Sequence, residues 1–189
     1  FALTNLVGNL LTYADRFILF AAMEAAFVSY YSTASFFGKS ASLVMQPVAS
    51  VLLGYFAQRG FQASRKLFAL INGISLAAMA AFLLASQLLA PWVTQLLYPT
   101  LYEQSAPYIF LANLGAIISV ASAMAQPMLL KACPIGWILG IQVLYGGVYV
   151  LSALLLMPSY ALYGFCWAAI LANTVRLLAY YLLGFLRFS

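Results

Sequence analysis

The sequence predicts an all-α polytopic membrane protein, a bundle of six transmembrane helices, and three observations carry that prediction. The 189 residues are 66% hydrophobic and only 6% charged, whereas a soluble domain carries about 25% charged residues. Mean hydropathy is +1.02. Between turn signals lie six stretches with the roughly 20 apolar residues that a helix needs to cross a bilayer at about 1.5 Å per residue. No strand-like alternation competes, and in lipid a helix satisfies its own backbone polar groups.

The first stretch, 2–23, is apolar from its start. The chain begins at Phe1 rather than Met, with no basic leader and no small-residue cleavage site, so it reads as a piece of a longer or processed protein rather than as a signal peptide. The second and third stretches, 30–57 and 66–97, exceed a bilayer span and predict tilt or extension beyond the lipid. The remaining three fall at 106–132, 136–157 and 161–186. Short gaps make consecutive stretches antiparallel neighbours in one bundle, 1–189.

Charges in the gaps predict sidedness. Arg59, Arg65 and Lys66 follow the second stretch, Lys131 follows the fourth and Arg187 the sixth. In a six-pass topology these share one side with the N-terminus. The opposite side carries Glu24 and Glu103 and no Lys or Arg. The basic side is therefore expected to be cytoplasmic, with both termini there. This accounts for most of the net charge of +5 without a nucleic-acid partner. There is no His, and only three acids and two Cys occur, so acid–base or metal chemistry has almost nothing to be built from. No enzyme, metal or cofactor is expected. Cys133, in a basic-side gap, and Cys166, near the other face, read as inert thiols too distant to pair.

Asp15, Arg16, Lys39 and Arg176 fall inside predicted spans, where a central charge costs on the order of 3 kcal/mol and calls for a partner or a wet cavity. The first stretch places Thr4/Asn5, Gly8/Asn9, Thr12 and Asp15/Arg16 on one helical face. The second does the same with Ser32, Ser35, Lys39, Ser42, Gln46 and Ser50. Weaker stripes run through Gly115, Ser119, Ser122 and Gln126, through Gln142, Tyr145, Tyr149 and Ser152, and through Asn173, Arg176 and Tyr180. Such stripes line a hydrated space or serve close helix packing, since small residues let backbones approach. Asp15 has Arg16, Lys39 and Arg176 as alternative ion-pair partners, and Arg176 can also snorkel toward the basic side. Three interior cations against one carboxylate leave an excess of about two positive charges, which suits an anion such as a lipid diphosphate. A cation-coupled drug exporter would present uncompensated acids instead. Pro47 and Pro127, each preceded by Gln (Gln46, Gln126), mark kinks that are either hinges or static packing features.

Tyr13-Ala14-Asp15-Arg16-Phe17-Ile18-Leu19, Ser29-Tyr30-Tyr31-Ser32-Thr33-Ala34, Leu97-Tyr98-Pro99-Thr100-Leu101-Tyr102, Gln126-Pro127-Met128-Leu129-Leu130-Lys131 and Pro158-Ser159-Tyr160-Ala161-Leu162-Tyr163-Gly164 resemble, in that order, segments of bacterial polysaccharide flippases of the multidrug/oligosaccharidyl-lipid/polysaccharide flippase superfamily. The first two are similar to the family's seventh helix and following turn, with Ser29 where glycine is usual. The third, with Ala106-Pro107, resembles the loop between its ninth and tenth helices. The fourth resembles the end of the tenth. The fifth resembles the turn into the twelfth, with Ala161 where glycine is common. The resemblance implies one six-helix lobe of a two-lobe transporter, the C-terminal half, its N-terminal lobe absent from this chain. It also implies an inner (cytoplasmic) membrane location and alternating-access flipping of undecaprenyl-diphosphate-linked oligosaccharide for surface polysaccharide synthesis. On that reading Arg16, Lys39 and Arg176 attract the diphosphate, Asp15 orients Arg16 or Lys39, and Ser42, Gln46 and Gln126 meet sugar hydroxyls. A multidrug exporter of the same superfamily and a non-transporting membrane scaffold subunit are the alternatives.

Overall fold

The computed structural model describes residues 15–56, 58 and 64–188. Their elements are helices throughout, with no strand among the described residues. The described part of α1 covers residues 15–22. There follow α2 (Ala25–Ala34), α3 (Phe36–Phe56), α4 (Arg65–Leu97), α5 (Pro99–Ser105), a 3-10 turn (Ala106–Tyr108), α6 (Ile109–Ala132) and α7 (Ile135–Arg187).

Local chemistry sets the boundaries. The 25–29 segment, expected as a gap, contains no helix breaker, and α2 starts there from an extended Glu24. The stretch expected over 30–57 is instead divided at Ser35. The N–H of Gly38, which an uninterrupted helix would aim at Ala34, donates to Asn113 Oδ1 of α6 at 2.6 Å. A side chain from a neighbouring helix thus caps the first turn of α3, where backbone donors lack intrahelical partners. A Cβ on Gly38 would lie 2.8 Å from Asn113 Cα, so only glycine admits this crossing. Ser64 starts α4 by accepting the Leu67 N–H at 3.3 Å, an N-cap bond. Residues 99–105, also expected as loop, are helical because Pro99 at the first turn favours helix initiation.

The 53-residue α7 reverses on itself. In a straight helix Trp137 and Arg187 would stand about 75 Å apart, yet the Arg187 guanidinium is 6.0 Å from the Trp137 ring centroid. Tyr149 meets Phe165 at 5.6 Å, and Arg176 meets Tyr145 at 4.4 Å. The pivot is Ala161, with φ 48° and ψ −128°. A Cβ on Gly164 would strike Leu156 O at 2.3 Å, so the arms need glycine to close. These arms contain the stretches expected at 136–157 and 161–186.

Among the described residues, four helical runs are long and apolar enough to cross a membrane: α3, α4, the continuous Pro99–Ala132 run and α7. On α4, Leu84, Leu88, Trp92 and Leu96 recur every fourth residue and are 70% to 82% exposed. A continuous apolar row of that size is foreign to a water-facing surface and is what lipid requires. The apolar helices make this architecture compatible with a multi-pass membrane protein. Helix α6 forms its centre, packing on α3, α4 and α7. Its apolar stretch is mostly buried, whereas little of that of α3 is.

The bundle has two chemically distinct ends. Arg65 stacks on Phe185, Arg187 reaches Trp137, and Phe68 meets Phe188 at 5.2 Å, which gathers the starts of α4 and α7 and the end of α7. Lys131 belongs to the last turn of α6 at this end. Glu24 and Glu103 belong to the opposite end, where α2 packs on α5. Of the gap charges, Arg65, Lys66, Lys131 and Arg187 thus lie at one end and Glu24 and Glu103 at the other. Residues 2–14, with Thr4, Asn5, Gly8, Asn9 and Thr12, and likewise Arg59, lie outside the described residues.

Candidate functional site

Two cations occupy the middle of the bundle, on different helices and in different surroundings. Lys39 lies on the first turn of α3, beside the break at Ser35. Its ammonium is paired with Asp15 Oδ2 of α1 and lies 5.1 Å from the centroid of the Tyr31 ring. The other carboxylate oxygen, Oδ1, accepts the backbone N–H of Arg16 at 2.8 Å. Among the alternatives for Asp15, the structure therefore selects Lys39. The pair is asymmetric in exposure: the Asp15 side chain is 8% exposed and that of Lys39 37%. The carboxylate is committed to the interior, while the Lys39 side chain stays partly exposed.

Arg176 lies on the second arm of α7, level with the middle of α6. One of its terminal nitrogens donates to Ser119 Oγ at 2.8 Å, Ser119 O at 3.1 Å and Asn173 Oδ1 at 3.0 Å. The guanidinium also covers the face of Tyr145 at 4.4 Å, a cation–π contact. These partners are neutral, and the buried Nε has no hydrogen-bond acceptor. The contacts to Ser119 hold the head group at mid-helix, so the snorkelling geometry is not adopted.

An aromatic chain joins the two cations. Tyr31, under Lys39, packs edge-on against Phe165 at 4.9 Å. Phe165 meets Tyr149 at 5.6 Å, and Tyr149 stacks on Tyr145 at 5.9 Å, beneath Arg176. Along α6 the attachment points of the two halves, Asn113 and Ser119, are about 9 Å apart in axial rise. Sequence spacing places Tyr145 and Tyr149 on a polar stripe without revealing this linking role. Tyr31 falls outside the stripes, and the adjacent Tyr30-Tyr31 pair is its only sequence signal.

The other expected site residues separate into groups. Arg16 is exposed on α1. Ser42 is one turn beyond Lys39, and its hydroxyl donates to Lys39 O at 2.6 Å. Ser50 does the same to Gln46 O at 3.0 Å. Such bonds satisfy a serine within its own helix, so these positions are stable without a ligand. Gln46 is exposed and Gln126 is half-buried on α6. The stripe expected to run from Ser32 to Ser50 on one helix is interrupted, because Ser35 is fully buried at the break. Pro47 and Pro127 both lie within continuous helices, the first exposed and the second buried.

The thiols are far apart in the packing: Cys166 belongs to the cluster around Tyr31 and Phe165, Cys133 to that around Phe68 and Leu129. Both are free. No group of three or more metal-ligating side chains occurs among the described residues. Comparison with known proteins finds no matching family model, no matching curated protein and no matching solved structure.

Proposed function

We propose that this chain is a six-pass lobe of a membrane transporter that flips a polyprenyl-diphosphate-linked oligosaccharide, with its basic end and both termini toward the cytoplasm of a bacterial inner membrane. The observation that carries the reading is Arg176: a guanidinium at mid-bundle whose contacts are neutral oxygens and a tyrosine face. A charge in that position is costly, and an anionic head group offsets the cost. Lys39, paired with Asp15 and with its side chain partly exposed, is the second candidate contact. The hairpin of α7 supports six passes, because each arm is long enough to span. The segregation of Lys and Arg to one end supports the orientation. The ordered resemblance to polysaccharide flippases supplies the diphosphate lipid as substrate. Arg16, Ser42, Gln46 and Gln126 remain proposed contacts for the head group and its sugars, and a second lobe would close the exposed side of α3.

The test is complementation in bacteria that lack their own oligosaccharide-lipid flippase, using the complete gene product and scoring surface polysaccharide. Wild type restores the polysaccharide, and Arg176→Ala and Lys39→Ala lose it at equal membrane abundance. Rescue that survives both substitutions removes the anion site from the mechanism. Raised drug resistance without polysaccharide would favour the exporter instead.

A further inference from the structure

A second place where charge lacks an acidic partner lies at the basic end, away from Lys39 and Arg176. A cleft of about 540 Å³ is lined there by Ser64, Arg65, Lys66, Ala69 and Phe185. Its apolar wall is firmly held. The Phe185 ring packs edge-on against Phe68 at 5.6 Å, and Phe68 is fully buried. The Arg65 guanidinium stands 5.3 Å from the Phe185 ring centroid. Lys66 is exposed beside it. Ser64 is already engaged, since its hydroxyl oxygen accepts the Leu67 N–H. The described carboxylates lie elsewhere: Asp15 is paired with Lys39, and Glu24 and Glu103 are at the opposite end. The same two helices carry exposed apolar side chains within three turns of the cleft residues in sequence, Leu70 and Ile74 of α4 and Leu182 and Leu186 of α7.

We propose that this cleft binds an acidic phospholipid from the membrane leaflet at the basic end. Arg65 and Lys66 hold its phosphate, Phe185 supports the glycerol region, and the acyl chains follow the Leu70–Ile74 and Leu182–Leu186 surfaces. The gradation from two cations through an aromatic ring to exposed leucines matches a phospholipid from head group to tail. A free phosphate would use only the first part. Basic pockets between helices at a membrane face recognise acidic head groups in this way, and guanidinium and ammonium groups bond strongly to phosphate oxygens. Two cations near the surface predict about a 30-fold preference for phosphatidylglycerol over phosphatidylcholine, falling as salt is raised.

Native mass spectrometry of the purified full chain, titrated with each lipid, measures that preference directly. Wild type is expected to retain phosphatidylglycerol selectively. Arg65→Gln/Lys66→Gln should lose the preference, while Lys131→Gln, which removes a cation outside the cleft, should keep it. Ala69→Trp fills the cleft with both charges intact and should also abolish retention, so it decides the matter if the double variant fails to fold. Equal retention of the two lipids by wild type overturns the proposal. So does undiminished preference in a folded double variant or in Ala69→Trp. Inorganic phosphate at matching concentration should not displace the lipid; displacement would make this a free-anion site and contradict the assignment.

Discussion

Asp15 and Lys39 form a pair in which the two members have unequal claims on the interior. Removing Lys39 strands a carboxylate that is 8% exposed. Breaking a buried pair costs about 3–5 kcal/mol, and an exposed pair contributes at most about 1. For Lys39→Ala, with Lys39 37% exposed, we expect a loss of about 2 kcal/mol. Adding Asp15→Ala should restore most of it, as measured by reversible unfolding in detergent. Cys133 offers a second residue-level test. Burial pushes its thiol above the ordinary range, with Arg187 opposing the shift. At neutral pH it should therefore alkylate more slowly than a free thiol, with the rate still rising at pH values where an ordinary thiol has levelled off. Helical spacing in the sequence is enough to locate Asp15, Lys39 and Arg176 inside apolar spans. It does not pair them, because which carboxylate faces which cation depends on how α1, α3 and α7 dock. Nor does spacing show that the Ser42 hydroxyl is satisfied by Lys39 O.

At the scale of elements, the fold depends on a few close approaches. Ala161 holds the hairpin of α7 with φ 48°, a region where L-residues pay roughly 1–2 kcal/mol and glycine does not. Ala161→Gly should accordingly stabilise the protein by about 1 kcal/mol, read as a rise in unfolding midpoint, and Ala161→Val should lower it. Gly38 sits where α3 crosses α6. Gly38→Val would drive a side chain into the Asn113 backbone and should cost about 2 kcal/mol through overpacking. The turn at Pro158–Ala161 is visible in the sequence as a break between apolar runs. The interruption at Ser35 is not, since Gly38 alone does not announce a break and the asparagine that accepts its N–H lies 75 residues later in the chain. Composition alone likewise cannot tell α5 from a loop, because its polar Tyr102-Glu103-Gln104-Ser105 sequence suits either.

For the molecule as a whole, the sequence reveals the helical class and its long apolar runs, because both follow from composition and linear order. Its interior is less visible: the aromatic chain from Tyr31 to Tyr145 draws on α2 and both arms of α7. Such a chain predicts that the halves carrying Lys39 and Arg176 respond together. Phe165→Ala should weaken both sites, whereas Gln126→Ala should leave the Lys39 environment unchanged, as reported by spectroscopic probes placed beside each cation. We propose that the interior cations recognise a lipid diphosphate. The most direct test is equilibrium binding of a polyprenyl diphosphate and the corresponding monophosphate to purified protein, with wild type and Arg176→Gln compared. Wild type is expected to bind the diphosphate more tightly, and Arg176→Gln to lose that preference by about tenfold or more, as when one charge-assisted contact is removed. Equal affinity for the two lipids, or a preference untouched by Arg176→Gln, would contradict this proposal.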